Sequence, residues 1–398
     1  MKPKLLYLVH RIPYPPNKGD KIRSYHFLRT LAAEYEIFLG TFIDDPDDRQ
    51  YVDTLAGLCN QVCCINLVPR LAKVQSLVGL LANEALSLPY YRSARLQTWV
   101  DDTIREQSID RALIFSSPMA QYVAGYPSLK VVADFVDVDS DKWCQYALSK
   151  TWPASWIYRR EAEKLLRFER RIAARAKAAL FVSEQEADLF KSLAPESAEK
   201  ITFVNNGVDT ERFDPALDYQ RPFSSDKKSI VFTGAMNYWA NVDAVKWFAE
   251  LVLPLITAKC PEVRFYIVGS KPAREVLQLA ENDPAVVVTG RVDDVRPYLA
   301  YADLIVAPLR IARGIQNKVL EALAMNKPVV ASSAAMEGIP PEQDLHLAIA
   351  DTPDDYAKHV LALLENQTGC SGANRRYVRN CFGWVESGRR LLQILAGA

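Results

Sequence analysis

The sequence APLRIARGIQNKVLEALAMNKPVV occupies residues 307–330. It predicts a strand that ends near Pro308, a loop that contains Gly314, and a helix that begins near Gln316 or Asn317. The first backbone N–H groups of a helix have no partner inside the helix, and they carry partial positive charge. A helix start that follows the carboxyl end of a strand binds anions well, and here it predicts a site for a diphosphate.

Two charged residues of this helix support the same prediction. Lys318 and Glu321 are three positions apart, so they share one face of the helix. Lys318 would neutralise phosphate charge, and Glu321 would accept hydrogen bonds from the two hydroxyls of a ribose, because a carboxylate has two acceptor oxygens. The alternative is an ordinary surface ion pair beside an ordinary strand–helix turn.

The rest of the chain shows the same alternation of strand and helix. Short apolar runs alternate with segments of helical length, which indicates buried parallel strands covered by helices on both faces. Two α/β domains in tandem are predicted, with ligands at the carboxyl ends of the strands and in the cleft between the domains. The predicted strands lie at residues 5–9, 37–42, 62–67, 112–115, 130–134, 179–182 and 201–204, and, after a polar stretch at 214–228, at residues 229–233, 263–268, 285–288, 303–307, 328–331 and 347–350.

The domain boundaries follow from these runs. Residues 1–205 are predicted to form the first domain, and residues 206–374 the second. Residues 375–398 carry apolar side chains at helical spacing, and they predict one helix that crosses back to pack on the first domain.

Composition argues against several classes of protein. Hydrophobic residues make up 49% of the 398 residues and charged residues 24%, which argues against a disordered chain. The 48 basic residues balance 48 acidic ones, so no nucleic-acid partner is expected. The apolar run at residues 5–9 is too short for a signal peptide, and no run approaches the roughly 18 apolar residues of a membrane span.

The cysteines and acidic residues bear on compartment and metals. The seven cysteines are odd in number and scattered, which favours reduced thiols and a cytoplasmic protein. The cysteine cluster at residues 59–64 lacks zinc-binding spacing, and the alternating aspartates at residues 137–141 lack the glycine and glutamate of a calcium loop. The sequence therefore predicts no metal site.

Several segments, in order along the chain, resemble one family. Residues 318–330, KVLEALAMNKPVV, resemble the signature of family 4 retaining glycosyltransferases, which have the GT-B fold of two Rossmann-like domains facing across a cleft. Residues 205–213, NNGVDTERF, resemble the segment at the domain junction of that family, and TGRV at 289–292 resembles its base-side loop. The resemblance implies a metal-independent enzyme of the hexosyltransferase type. It implies no cofactor, because the nucleotide diphosphate sugar is the donor substrate.

A narrower resemblance suggests the pathway. Residues 134–143, 232–243 and 314–318 are similar to the sugar transferases of exosortase (PEP-CTERM)-associated exopolysaccharide clusters. This implies exopolysaccharide biosynthesis, with a saccharide or a polyprenyl-linked saccharide as the acceptor. Two features depart from the family pattern. Arg313 stands where many members have a glutamate that contacts the donor sugar, and the loop at 236–241 lacks the usual arginine and lysine pair for phosphate.

The helix and the resemblance together give a set of predicted substrate-binding residues. Arg313, Lys318 or Lys246 would supply the phosphate charge in place of the missing pair. Gly19 and Lys21 belong to the set because they lie in loop 15–23 after the first strand, where the family places a glycine-containing loop against the donor. The alternative for this loop is an ordinary solvated turn that binds nothing. The set is Gly19, Lys21, Gly234, Asn237, Arg291, Arg313, Gly314, Gln316, Asn317, Lys318 and Glu321.

The acceptor side is predicted to involve Asp137 and Asp139, which follow a strand of the first domain. By resemblance this loop faces the acceptor, so one of these carboxylates would orient or deprotonate the attacking hydroxyl. The alternative is that they cap the helix that follows.

Residues 152–177 carry eight basic and three acidic side chains, together with the aromatic residues Trp152, Trp156, Tyr158 and Phe168. Together with the apolar segment at residues 71–88, this pattern predicts peripheral contact with an anionic membrane, at its inner face. The alternative is a connecting helix whose basic side faces water.

Two other functions are consistent with the same architecture. One is a nucleotide-sugar epimerase, which would use paired carboxylate and histidine groups; four histidines in the whole chain argue against it. The other is a non-catalytic nucleotide-sugar-binding subunit, and the departure at Arg313 is its main support.

Overall fold

The computed structural model describes residues 2–16, 19–148, 151–224, 226–312, 314–365 and 372–397. It divides into two compact units. The first unit is formed by Met1–Asn206 together with Trp384–Ala398, and the second by Gly207–Gly383. Each unit is built on one parallel sheet, as the buried apolar strands predict.

The sheet of the first unit has seven strands in the order β3-β2-β1-β4-β5-β6-β7. The central strand β1 shows why the sheet is buried on both faces. Leu5 and Tyr7 point into one apolar cluster, whereas Leu6 and Leu8 point into another, because successive side chains of a strand alternate between its faces. The strands are β1 (Lys4–Val9), β2 (Glu36–Ile43), β3 (Gln61–Asn66), β4 (Arg111–Phe115), β5 (Lys130–Val136), β6 (Ala178–Phe181) and β7 (Ile201–Phe203).

Helices connect these strands and cover the sheet. Two of them begin at serine caps: Ser93 accepts from the Leu96 N–H, and Ser183 accepts from the Glu186 N–H. The helices are α1 (Gly19–Glu34), α2 (Val52–Ala56), α3 (Pro69–Ser76), α4 (Val78–Leu81), α5 (Ser87–Tyr90), α6 (Ala94–Gln107), α7 (Asp139–Leu148), α8 (Ala154–Arg175) and α9 (Glu184–Leu193).

The sheet of the second unit has six strands in the order β10-β9-β8-β11-β12-β13. In both sheets the strand order reverses beside the first strand of the unit, at β1/β4 and at β8/β11, and ligands of open α/β sheets bind at such points. The elements are β8 (Lys228–Thr233), α10 (Trp239–Trp247), α11 (Leu253–Thr257), β9 (Val263–Val268), α12 (Arg274–Asn282), β10 (Val286–Gly290), α13 (Arg296–Tyr301), β11 (Leu304–Ala307), α14 (Asn317–Ala324), β12 (Val329–Ala331), β13 (Leu347–Ile349), α15 (Pro353–Glu365) and α16 (Ala373–Cys381).

The predicted strands are confirmed: each of them overlaps an observed strand. The carboxyl-terminal segment differs from its prediction. Residues 375–398 do not form one helix, because α16 ends before Gly383 and α17 (Trp384–Gly397) begins after it. A Cβ atom at Gly383 would lie 2.7 Å from the Arg379 carbonyl oxygen, so the chain turns where only glycine fits.

The chain therefore returns to the first unit at Trp384 and not at residue 375. The reason is that Val378 and Phe382 pack in the core of the second unit, which holds α16 there. By contrast, α17 packs on α1, and the Trp384 ring stacks on His26 with 4.5 Å between ring centroids. The other boundary lies after Asn206, one residue beyond its predicted position.

Candidate functional site

The second unit contains a cavity of about 640 Å³ at the carboxyl ends of its strands. Its walls come from the loops after β8, β9, β10 and β11, which is where the strand order predicts a ligand. The structure brings together six of the predicted substrate-binding residues in this lining: Gly234, Arg291, Gln316, Asn317, Lys318 and Glu321.

The floor of the cavity depends on the close packing of two glycines. A Cβ atom at Gly269 would lie 1.6 Å from the Gly234 carbonyl oxygen, so the loops after β8 and β9 are in direct backbone contact. A Cβ atom at Gly234 would lie 2.7 Å from Nδ2 of Asn241. Larger residues at either position would separate these loops or displace Asn241.

Lys318 lies in the first turn of α14, and its ammonium group has a neutral partner. Its Nζ donates to Oδ1 of Asn241 at 2.6 Å, and it lies 4.2 Å from the centroid of the Phe232 ring. Burial lowers the pKa of Lys318 to about 7, although the carboxylate of Glu321 acts in the opposite direction. Because the amide and the ring do not neutralise the ammonium, its charge is available to an anion in the cavity.

Glu321 lies one turn further along α14. Burial raises its pKa to about 7, against the effect of the positive charges of Lys318 and Arg212. Since its ionised form is favoured by hydrogen-bond donors, hydroxyl groups of a ligand would stabilise that form. Lys318 and Glu321 thus influence each other along one face of α14, and because both are buried they are not an ordinary surface pair.

The start of α14 completes the polar wall. Gln316 precedes the helix and Asn317 is its first residue. Within the described residues, Oδ1 of Asn317 is buried and accepts no hydrogen bond, so it is available to a donor group of a ligand. Gly314 shapes the preceding loop: its φ is +68°, a left-handed conformation that favours glycine, and its carbonyl oxygen accepts from Nε2 of Gln316 at 2.9 Å.

Two residues of the cavity were missed by the sequence analysis. Arg212 lines the cavity, and it belongs to the segment at 205–213 whose resemblance had been noted without a role for this arginine. Asn241 is the partner of Lys318, and its side chain also donates from Nδ2 to the Ala235 carbonyl oxygen at 3.0 Å. The only sequence signal for a role of Asn241 is that it lies in the segment at 232–243, which resembles the sugar transferases.

Three predicted residues described in this unit are not part of this lining: Asn237, Lys246 and Gly314. Asn237 and Lys246 line a neighbouring surface depression. An ion pair between Arg310 and Asp243 borders that depression. Arg313 lies outside the described residues.

The prediction for Lys21 in the first unit is corrected by the structure. Its side chain is 1% exposed, and its Nζ donates to Oδ2 of Asp48 at 2.5 Å, so its charge is already compensated inside the unit. The neighbouring Arg23 is fully buried against Asp134. Gly19 is the exposed first residue of α1, and no atom lies within 4 Å of a Cβ built there, so close packing does not require glycine.

Asp137 and Asp139 lie just beyond β5, and both bind one lysine. Lys142 Nζ donates to Oδ2 of Asp137 at 2.6 Å and to Oδ1 of Asp139 at 3.3 Å. Burial raises the pKa of Asp139, although Lys142 favours its ionised form. Val136, a β-branched residue, has a φ of +71°, which is a strained conformation at the turn that presents these carboxylates.

A histidine–carboxylate pair follows β1 in the same unit. Nε2 of His10 lies 3.3 Å from Oδ2 of Asp20, which also accepts from Nη1 of Arg11 at 2.5 Å. Burial opposes the ionisation of Asp20, but the hydrogen bond to His10 and the charges of His10 and Arg11 hold its pKa below the usual range. The sequence analysis missed this pair because it used only the number of histidines.

The described residues include no group of three or more His, Cys, Asp or Glu side chains that could hold a metal ion. No helix among them combines the length and the apolar character needed to cross a membrane.

A family model matches the unit that contains the cavity. Residues 227–366 match the model described as Glycosyl transferases group 1. This segment includes β8 to α15 and most of the cavity lining, including Lys318 and Glu321. The similarity to group 1 glycosyltransferases therefore lies in the second unit, which contains the cavity.

Solved structures show the fold of the whole chain. HepE of Anabaena in complex with UDP is 15% identical, with a TM-score of 0.65, and the match covers 99% of this chain and 100% of that one. Sucrose-phosphate synthase of Thermosynechococcus elongatus is 15% identical, with a TM-score of 0.68 and coverage of 99% and 98%. WaaG, a glycosyltransferase involved in lipopolysaccharide biosynthesis, is 16% identical, with a TM-score of 0.62 and coverage of 99% and 100%. The fold is GT-B.

One curated relative is a protein of a cps region. An uncharacterized 44.6 kDa protein in the cps region of Klebsiella pneumoniae is 22% identical over 182 residues. The match covers 43% of this chain and 46% of the relative, so the chain matches about half of that protein's length.

Proposed function

We propose that this protein is a retaining glycosyltransferase that transfers a sugar from a nucleotide diphosphate sugar to a hydroxyl of a saccharide or a polyprenyl-linked saccharide. The observation that carries the proposal is the cavity of the group 1 domain, where Lys318, Glu321 and the start of α14 lie together. The complex of Anabaena HepE with UDP supports a nucleotide donor, because that protein has the same fold.

Each part of the cavity has a role in binding the donor. The start of α14 and the ammonium of Lys318 bind the diphosphate, because both supply positive charge to the cavity. Glu321 accepts hydrogen bonds from the ribose hydroxyls. We assign Arg291, which lies in the loop after β10 and lines the cavity, to the base of the donor.

The chemistry follows from this arrangement. The bond between the anomeric carbon and the phosphate oxygen breaks, and the acceptor oxygen bonds to the same face of the sugar. The departing phosphate oxygen takes the proton of the acceptor hydroxyl, so no strong protein base is needed. Lys318 and the start of α14 stabilise the charge that develops on the leaving diphosphate, and this electrostatic stabilisation makes a metal ion unnecessary.

We assign acceptor binding to the first unit, at the loop after β5. Asp137 and Asp139 are fixed by Lys142, and they present carboxylate oxygens that hydroxyl groups of a saccharide can donate to. An acceptor of a cell-surface polysaccharide, handled in the cytoplasm at the inner face of the membrane, agrees with the cps-region relative and with the lipopolysaccharide role of WaaG.

The donor site can be tested with nucleotides alone. UDP, GDP, ADP and CMP are titrated into the protein by calorimetry, and one of the diphosphates is expected to bind. Glu321→Ala is expected to weaken that binding by the value of one or two charged hydrogen bonds, about 1.5–3 kcal/mol each. Glu250→Ala, an exposed glutamate of the neighbouring depression, is the matched control and should bind like the wild type. Equal binding by all three proteins would refute the assignment of Glu321.

One observation favours a second candidate function, the epimerase. The His10–Asp20 pair is the histidine–carboxylate combination that such an enzyme would use. Incubation of the bound nucleotide sugar without an acceptor, followed by NMR, distinguishes the two. A changed configuration in the sugar supports the epimerase, whereas transfer that requires an added acceptor supports the glycosyltransferase. Donor binding without either reaction would favour the non-catalytic subunit.

A further inference from the structure

An exposed apolar surface lies on the first unit, far in sequence from the cavity of the second. Residues 68–82 contain α3 and α4, and large apolar side chains of this segment face outward. Leu71 is 68% exposed and Leu81 is 91% exposed. We call this surface the apolar face; it consists of Val68, Leu71, Val74, Leu77, Val78, Leu80 and Leu81.

The spacing of these residues places them on one side of the two helices. Leu71, Val74, Val78 and Leu81 follow one another at intervals of three, four and three residues, which is the spacing of an amphipathic helix. In a folded domain such a stripe is normally buried. Here it is exposed, and apolar patches of this kind mark interaction sites.

The apolar face is held firmly by α8. Nη2 of Arg160 donates to the Gly79 carbonyl oxygen at 2.8 Å, and Nη1 donates to the Glu84 carbonyl oxygen at 3.0 Å. The buried carboxylate of Glu161 accepts from the backbone N–H groups of Leu86 and Ser87. The exposure is therefore a property of a fixed surface and not of a loose segment.

The charges on the apolar face itself have one sign. Its segment, residues 68–82, includes Arg70 and Lys73 and no acidic residue, and Glu84, which follows it, is paired with Arg92. The beginning of α8 and the turn before it, residues 151–160, add exposed tryptophans and Arg159, again without an acidic residue. A surface that combines exposed apolar and basic side chains is complementary to the headgroups and the acyl boundary of an anionic bilayer.

The later part of α8 does not share this character. Arg167 binds Glu163, and Arg170 binds Glu196, so these arginines are compensated by protein carboxylates. The contact predicted for the whole of residues 152–177 is therefore best placed at the beginning of that segment, at Trp152 and Trp156, together with the apolar face.

We propose that the apolar face, with Trp152 and Trp156, docks on an anionic lipid bilayer and inserts into its interfacial layer. The charge argument favours lipid over a second copy of the chain, because two copies would bring equal positive charges together. The stripe also spans only about four helical turns from Val68 to Leu81, whereas a coiled coil needs three to four heptads. The inference does not rest on the proposed enzymatic function, since it concerns lipid alone.

Sedimentation with vesicles tests the proposal. The protein is expected to bind vesicles of equal parts phosphatidylcholine and phosphatidylglycerol, and to bind vesicles of phosphatidylcholine more weakly. Leu71→Gln with Leu81→Gln should reduce the partition coefficient at least tenfold, because even one inserted leucine contributes about that factor. The matched control is Val385→Gln, which changes an 87% exposed residue of α17 in the same unit and should have no effect.

Two further measurements make the result decisive. Arg70→Gln with Lys73→Gln should reduce binding to the mixed vesicles by roughly fivefold per charge and should leave binding to phosphatidylcholine unchanged. Light scattering reports the oligomeric state, and circular dichroism verifies the fold of each variant. Folded leucine variants that bind vesicles like the wild type would overturn the proposal. So would a wild-type dimer that the leucine substitutions convert to monomers without any vesicle binding, which would make the surface an interface between two copies.

Discussion

The affinity for a nucleoside diphosphate should be greatest near pH 7 and should fall on both sides. Burial brings the pKa values of both Lys318 and Glu321 to about 7. A bound diphosphate favours the protonated lysine, and ribose hydroxyls favour the ionised glutamate. Binding therefore takes up a proton on Lys318 above pH 7 and releases a proton from Glu321 below it, so affinity is lost in both directions.

The magnitude follows from proton linkage. One proton taken up or released changes the affinity by at most tenfold per pH unit. Lys318→Met should remove the decline above pH 7, and at pH 7 it should weaken binding by roughly ten- to hundredfold, which corresponds to a charged hydrogen bond of about 1.5–3 kcal/mol. Glu321→Gln should remove the decline below pH 7 and keep the one above it.

Calorimetric titration provides the assay. The tightest-binding diphosphate is titrated at a series of pH values above about 6, where its phosphate remains largely ionised. Two buffers that differ in ionisation enthalpy report the protons exchanged at each pH. A constant affinity between pH 7 and pH 9 in the wild type would refute the reasoning. So would a Lys318→Met protein that still loses affinity across that interval.

Three further outcomes concern stability and the shape of the cavity. Because burial lowers the pKa of Lys318 in the folded state, the wild type should gain stability as pH rises above 7, and Lys318→Met should abolish this gain and stabilise the protein at pH 7 by up to a few kcal/mol in urea denaturation. Arg23→Met should cost about 3–5 kcal/mol by the same method, because it leaves Asp134 charged and buried, whereas an added Asp134→Leu should restore part of the loss. Gly234→Ala should weaken diphosphate binding severalfold, since its Cβ atom displaces Asn241 and with it Lys318; unchanged binding would show that the loop accommodates the methyl group.

The strands were predictable because they are buried on both faces. A short continuous apolar run between polar turns is typical of a buried parallel strand. In β1 and β8 nearly every side chain is buried. The carboxyl-terminal helices were harder to predict, because apolar side chains at helical spacing do not determine which of the two cores they pack in. Val378 enters the core of the second unit and Leu391 that of the first.

The candidate site was predictable where local geometry determines it. The start of α14 fixes the positions of Asn317, Lys318 and Glu321, and these residues line the cavity together. Contacts between distant segments were not predictable: Asn241 lies 77 residues from its partner Lys318. For the same reason the prediction of Lys21 as a substrate-binding residue could not include its buried partner Asp48, which lies 27 residues away in the sequence.

The return of the chain to the first unit makes the second unit an insertion. The chain leaves after Asn206 and comes back at Trp384, and the two ends of the inserted segment are joined by a hydrogen bond of 2.7 Å from the Val208 N–H to the Phe382 carbonyl oxygen. Every residue that lines the cavity belongs to this one continuous segment. A deletion of residues 384–398 should therefore remove a part of the first unit and leave the whole segment that lines the cavity intact.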